Sequence, residues 1–193
     1  ITPSSIVLSL TNPTIDVNSG ASLTLDGSSV TGTSLAFNKI GLGTFRLTNT
    51  ASSNDGTTQI QNGILEVANM SSGGNSSTGT GGFAIGLAST TQSPTLRHVG
   101  NSATTCSRTL TWNSGAGSTF TLDSSGTLAS AVTFSGTLQY GAGVTGAHDL
   151  ILTGTNSNTN TWSAAMPAVE TGRTTTVIKN GSNWWDLTGT INA

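Results

Sequence analysis

The sequence predicts an all-β chain wound into a parallel β-solenoid. Three observations carry that expectation. Apolar residues alternate with polar ones in short runs along all 193 residues. Turns rich in Gly and Asn separate those runs at even spacing. Stretches of the chain also repeat one another at the spacing of a single coil.

The alternating runs come in chain order. Ile6, Leu8 and Leu10 are followed by Ile15 and Val17, Leu23 and Leu25, Leu35 and Phe37, Phe45 and Leu47, and Leu65 and Val67. Phe83, Ile85 and Leu87 come next, then Leu110 and Trp112, Phe120 and Leu122, and Val132 and Phe134. Leu138 and Tyr140, Leu150 and Leu152, and Trp185 and Leu187 complete the series. Each set is the inward face of a short strand, because successive side chains on a strand point to opposite sides. No segment carries the 3.6-residue apolar stripe of a helix. The outward positions are rich in Thr, whose branched Cβ suits a pleated surface. The 25 Gly and many Asn supply the corners.

Short, evenly spaced strands suit an antiparallel sandwich or barrel as well as a solenoid, and internal repetition favours the solenoid. Lys39-Ile-Gly41-Leu-Gly43-Thr-Phe45-Arg-Leu47-Thr48 lines up with Lys179-Asn-Gly181-Ser-Asn183-Trp-Trp185-Asp-Leu187-Thr188. Asn18-Ser-Gly-Ala21 with Leu23-Thr-Leu25-Asp26 matches Asn113-Ser-Gly-Ala116 with Phe120-Thr-Leu122-Asp123. The span from Gly41 to Gly63, which opens Gly63-Ile-Leu65-Glu-Val67, is nearly the same as that from Gly115 to Gly136, which opens Gly136-Thr-Leu138-Gln-Tyr140. Coils of about 20–25 residues follow from these spacings, giving one domain over 1–193 with about eight coils. A single coil cannot bury its own apolar face, whereas stacked coils can. The stretch 71–82 has no apolar residue apart from its glycines and is expected to leave the solenoid as a protruding loop.

The run Lys39-Ile-Gly-Leu-Gly-Thr-Phe-Arg-Leu-Thr-Asn-Thr50, with Gly56-Thr-Thr-Gln-Ile60-Gln-Asn-Gly63-Ile-Leu-Glu-Val67, resembles the autotransporter-associated β-strand repeat. Ala147-His-Asp-Leu-Ile-Leu-Thr-Gly154 and Val177-Ile-Lys-Asn-Gly181 resemble a second, more divergent copy. The resemblance implies a right-handed parallel β-helix of the passenger type carried on bacterial surfaces. It covers about half of the chain closely and the remainder loosely.

Composition narrows the function. Only 7% of residues are charged, against about 25% in an ordinary soluble domain. Six Lys and Arg in total cannot build a phosphate-neutralising patch, so nucleic acid is not an expected partner. No apolar run is long enough to cross a membrane as a helix, and membrane insertion is not expected. The abundance of Ser, Thr and Gly would fit a disordered chain, but the recurrent apolar alternation argues against that. Low charge, high Thr and Asn, and a single Cys match bacterial surface proteins, so an extracellular or cell-surface location is expected. The start at Ile1, with no signal-like segment, is expected of a processed or excised chain.

Catalytic constellations are sparse, and the chain is expected not to be an enzyme. The acids are Asp16, Asp26, Asp55, Glu66, Asp123, Asp149, Glu170 and Asp186, and no two stand adjacent or two apart. Neighbouring coils could still bring Asp26 near another acid. His148-Asp149 invites a triad reading, but adjacent strand residues face opposite ways and no nucleophile elbow is present. His98 and His148 alone do not make a metal site, and Cys106 is expected as a small buried core residue. No cofactor is expected. Gly41-x-Gly43 and Gly115-x-Gly117 lack the Lys and helix of a phosphate loop and are expected at corners.

Interest therefore falls on the ends. Neither shows an amphipathic capping helix, and strands are expected from Ile1 to Leu10 and from Trp185 to Ile191. Open coils expose backbone donors, acceptors and apolar side chains. They are expected either to stack head to tail on another copy or to meet a continuing chain, with Ile6, Leu8, Leu10, Trp184, Trp185, Leu187 and Ile191 as the candidate contacts. The leading expectation is a non-enzymatic fibre- or stalk-forming surface subunit with an adhesive role. A carbohydrate-binding module using Trp184 or Trp162 on surface glycans, and a polysaccharide-acting enzyme built on a groove of acids from adjacent coils, are the alternatives.

Overall fold

The computed structural model describes residues 5–7, 12–33, 37–72, 76–88, 90–127, 130–167 and 172–190, with side chains from residue 12 onward. β1 (Ser5–Val7) precedes a coil made of β2 (Thr14–Asp16), β3 (Ser22–Leu25) and β4 (Ser29–Thr31). β5 (Phe37–Ile40) and β6 (Thr44–Leu47) begin the next coil, and β7 (Thr58–Ile60) and β8 (Ile64–Val67) the one after. Three full coils follow: β9 (Phe83–Ile85), β10 (Thr95–His98) and β11 (Thr104–Cys106); β12 (Leu110–Trp112), β13 (Ser118–Ser124) and β14 (Val132–Phe134); and β15 (Leu138–Tyr140), β16 (Gly146–Gly154) and β17 (Thr159–Trp162). β18 (Arg173–Lys179) and β19 (Trp184–Leu187) end the described chain.

Like positions of successive coils pair in parallel and build three faces. Face 1 is β2-β5-β7-β9-β12-β15, and face 2 is β3-β6-β8-β10-β13-β16-β18. Face 3 has β1-β4 at one end and β11-β14-β17-β19 at the other. Between these two sheets, face 3 continues through irregular chain joined to its neighbours: Ser53 N donates to Val30 O at 3.0 Å, Ser52 and Ser76 form an antiparallel bridge, and Ser72 N donates to Thr105 O at 3.3 Å. The chain is therefore an all-β parallel solenoid of about six turns, without a helix among the described residues.

Stacked rungs create continuous inward columns, and these are the core. On face 2, Leu23, Phe45, Leu65, Leu96, Leu122, Leu152 and Lys179 lie in one unbroken register. On face 1 the column is Ile15, Lys39, Ile60, Ile85, Trp112 and Tyr140. On face 3, Phe134 stacks flat on Trp162 at 4.7 Å between ring centroids. Most of the alternating apolar residues are fully buried in these columns, as the period of two requires. Corners sit on corners just as closely. A Cβ at Gly41, whose φ is 71°, would stand 2.3 Å from Val17 O of the rung before, so both backbone and space require glycine there.

Three expectations need correction. The turns number about six instead of eight, because coils lengthen along the chain. Leu23 pairs with Phe45 and Phe45 with Leu65, 22 and 20 residues on, but Leu65 pairs with Leu96, 31 residues on. The stretch 71–82 does not leave the body in its described part. Ser76, Ser77 and Thr78 are fully buried, and Ser77 Oγ donates to Asn49 O at 2.5 Å. Arg108, buried and stacked over the Phe83 ring, holds this stretch by donating to Thr78 Oγ1 and Ser71 O, both at 2.7 Å, and to Ser76 Oγ and Gly79 O. Hydroxyls paired with a buried guanidinium thus replace apolar side chains in this rung. Finally, Leu87 follows the corner at Gly86 and is exposed instead of inward.

The internal matches also resolve by face. Leu23-Thr-Leu25 and Phe120-Thr-Leu122 both lie on face 2. The match of Lys39 with Lys179 crosses faces: the first copy turns from face 1 to face 2, the second from face 2 to face 3.

Candidate functional site

Two regions combine unusual exposure with defined geometry: the open ends of the solenoid, and a groove on the outer side of face 2. At the first end, β2 and β3 are the edge strands of faces 1 and 2. With no rung above it among the described residues, inward Leu23 is 43% exposed, and Ile15 and Leu25 are only half-buried. At the far end, β18 and β19 are the edges of faces 2 and 3. There Leu187 is 43% exposed, while Val177 and Trp185 are half-buried against the core.

The candidate contact residues divide between these ends. Trp184 projects outward and is 71% exposed. Trp185 turns inward, pairs with Asn160 and donates its indole N–H to Thr153 O at 3.3 Å. Ile6 lies in β1, paired with Val30; its side chain, together with Leu8, Leu10 and Ile191, lies outside the described residues. Val177, which was not among the alternating pairs, also lies at an end; Ile15, Leu23 and Leu25 belong to the ends but were expected inside the solenoid. Their alternation was plain in the sequence, but nothing in it said which rungs were terminal.

A buried amide cluster fastens the far end. Asn160 Oδ1 accepts from Ser124 Oγ at 2.8 Å, Val132 N at 2.9 Å and Asn156 Nδ2 at 3.0 Å. Asn160 Nδ2 donates to Asn156 Oδ1 at 3.0 Å and to Trp184 O at 2.9 Å. Asn183 Nδ2 donates to Asn156 Oδ1 and Thr153 O, both at 3.1 Å. Sequence reasoning missed this cluster, since these asparagines look like ordinary turn residues.

The two corner lysines differ in a telling way. Lys39 is fully buried in its column, and its ammonium donates to Ile40 O at 2.7 Å, Gly41 O at 2.9 Å and, across to the next rung, Asn62 O at 3.2 Å. Burial lowers its pKa, with Asp16 opposing. Lys179 makes the same local bonds, to Asn180 O and to Gly181 O at 3.0 Å, but stands exposed on the last rung of face 2.

On the outer side of face 2, Arg46, Glu66, Arg97 and Asp123 share one row of the register. Arg97 donates to Glu66 Oε1 at 2.9 Å and Asp123 Oδ2 at 2.6 Å, and Arg46 stands 3.7 Å from Glu66. Partial burial of Arg97 opposes its charge, but the two carboxylates outweigh it and raise its pKa. Glu66, Arg97 and Asp123 of this row line a groove of about 610 Å³ together with Ser125, Thr153, Thr155 and Ser182. Asp26 is not part of it; its carboxylate accepts from Thr48 Oγ1 at 2.6 Å. Glu66 and Asp123 are two rungs apart, about 10 Å. Arg97 fills the space between them that an acid–base pair would leave for water and substrate.

His148 points inward between the rings of Trp112 and Tyr140, at 5.1 and 5.3 Å, with Asp149 on the other side of the strand. His98 is buried with Nε2 3.1 Å from Ala68 O. Burial lowers the pKa of both. Cys106 is fully buried, as expected, and burial raises its pKa. Trp162, weighed as a glycan contact, is 1% exposed beneath its stack with Phe134 and cannot serve as one. Among the described residues no three His, Cys, Asp or Glu side chains gather as metal ligands. No protein-family model, curated protein or solved structure matches this chain.

Proposed function

We propose that this chain is a non-enzymatic structural unit of an extracellular or bacterial cell surface, a β-solenoid that builds a fibre or stalk by end-to-end stacking. The observation that carries the reading is the state of the two ends. Among the described residues, each presents a face 2 edge strand with no further partner and half-covered apolar side chains: Ile15, Leu23 and Leu25 at one end, Val177, Trp185 and Leu187 at the other. Uncapped edges of this kind are templates for another rung, and a heterologous contact that does not close yields a filament. The low charge of the chain does little to oppose such stacking. A sedimentation-velocity concentration series with negative-stain microscopy tests the proposal. Growing linear oligomers support it, and monomers at every concentration refute it.

A second reading, glycan binding, is favoured by the outward Trp184 and by the hydroxyl-lined groove beside Arg97. Aromatic faces stack on sugar rings, and a glycan array with Trp184→Ala as control separates this reading from the first.

A further inference from the structure

We infer that the partner at the far end is a second copy of this chain, docked in continuous register with its β3 against β18, so that Leu23 of the second copy covers Lys179 and its Asp26 meets the Lys179 ammonium. This inference rests on the end-to-end reading above and gives it a register.

The argument begins with Lys39. Its ammonium ties its own corner to the corner of the next rung through Asn62 O, while Ile60 of that rung covers its stem. Lys179 repeats the first half of this arrangement: the same Lys-x-Gly spacing, the same two local carbonyls, and a glycine at φ 72° matching the 71° of Gly41. The second half, an apolar lid and a corner acceptor from the next rung, is not supplied by the described residues. The face 2 column names what fits. It ends in Lys179 on one side and in Leu23 on the other, so extending it by one rung places Leu23 of a second copy over Lys179.

The corner that follows β3 in that copy carries Asp26, an exposed carboxylate, above the Asn180–Ser182 corner. A cation at one end thus meets an anion at the other, in the same column of corners. Two residues earlier in the column, Val177 comes under Ala21 of the second copy.

One element opposes this docking. β1 stands one rung beyond β3 on face 3, paired there with β4, at the level where β19 of the docked molecule would lie. Docking therefore releases β1 and seats β19 on β4, so that Trp185 and Leu187 cover Val30, which is buried in the free chain. β1 acts as a removable cap.

Sedimentation velocity on the full chain and its charge variants tests the inference. Lys179→Asp and Asp26→Lys should each weaken association about tenfold or more, the double variant should restore it, and Ile6→Pro, which disrupts β1, should strengthen it. Both charged residues are exposed, so at concentrations where the wild type is monomeric the melting temperatures should stay at the wild-type value and report intact monomers. Association unaffected by either charge reversal, or a double variant no better than the singles, overturns the register while leaving end-to-end stacking standing. Monomers in every variant, Ile6→Pro included, overturn both and leave a continuing chain as the occupant of the end.

Discussion

Replacing Asn160 with Ala probes the buried fastening of the last rung. The side chain is wholly buried and joins three coils: Ser124, Val132 and Asn156, and the Trp184 carbonyl. Truncation orphans the Val132 N–H and the Trp184 C=O, each costing about 1–3 kcal/mol when buried without a partner. Asn156 also loses two bonds, while its contact with Asn183 remains. Allowing for local rearrangement, we expect a loss of about 3–4 kcal/mol, or about 6–15 °C in melting temperature for a chain of this size. Differential scanning calorimetry gives the magnitude. Hydrogen exchange gives the place, since the amides of β19 should lose protection before those of β13. The exposed Asn101→Ala is the control and should stay within about 0.5 kcal/mol of wild type. An Asn160→Ala protein melting within about 2 °C of wild type would refute the view that this amide bonds the rungs.

Other predictions follow from the same columns. Lys39→Met should cost about 2–3 kcal/mol, because it leaves the Gly41 and Asn62 carbonyls without the ammonium and Ile40 O with the Val17 N–H, whereas Lys179→Met should change monomer stability by less than about 0.5 kcal/mol; urea titration of both checks the contrast. Burial lowers the pKa of His98 and His148, so the unfolded chain takes up protons near pH 6.5 that the folded chain refuses. Stability should therefore be full above about pH 7.5 and fall as pH drops through 6.5, by up to about 1.4 kcal/mol per pH unit for each histidine, until the folded pKa is reached. Urea midpoints between pH 8 and 5 measure this, and His148→Phe should flatten the slope. The Cys106 thiol should resist a disulfide-exchange reagent in the folded chain and react promptly in urea, as its burial and raised pKa require.

Much of the fold was legible because it depends on local periodicity. Phe45 and Leu47, Leu65 and Val67, and Phe120 and Leu122 alternate cleanly, and all six are fully buried. The solenoid was legible because its corners recur, as at Asn18-Ser-Gly-Ala21 and Asn113-Ser-Gly-Ala116. What was not legible lies where rungs meet through polar atoms. The stretch 71–82 has the composition of a solvated loop, yet Ser76 and Thr78 are buried because Arg108, about 30 residues downstream, returns to pair with them. No local signal couples those positions. Similarly, Arg97 joins Glu66 and Asp123 across rungs 31 and 26 residues apart, and only the register reveals the row. At the ends, the aromatic and aliphatic residues near the C-terminus were visible in the sequence, but Leu23 and Lys179 became candidates only when the face 2 column showed where it stops.

The most direct test of end-to-end stacking is the axial rise of the assembled form, measured by cryo-electron microscopy or fibre diffraction. Face 2 holds seven strands. At about 4.8 Å per rung, the account predicts a rise of about 34 Å per copy with an unbroken reflection near 4.8 Å along the fibre axis. Filaments with a different rise and no axial reflection near 4.8 Å, or copies joined side by side through the faces, would contradict it.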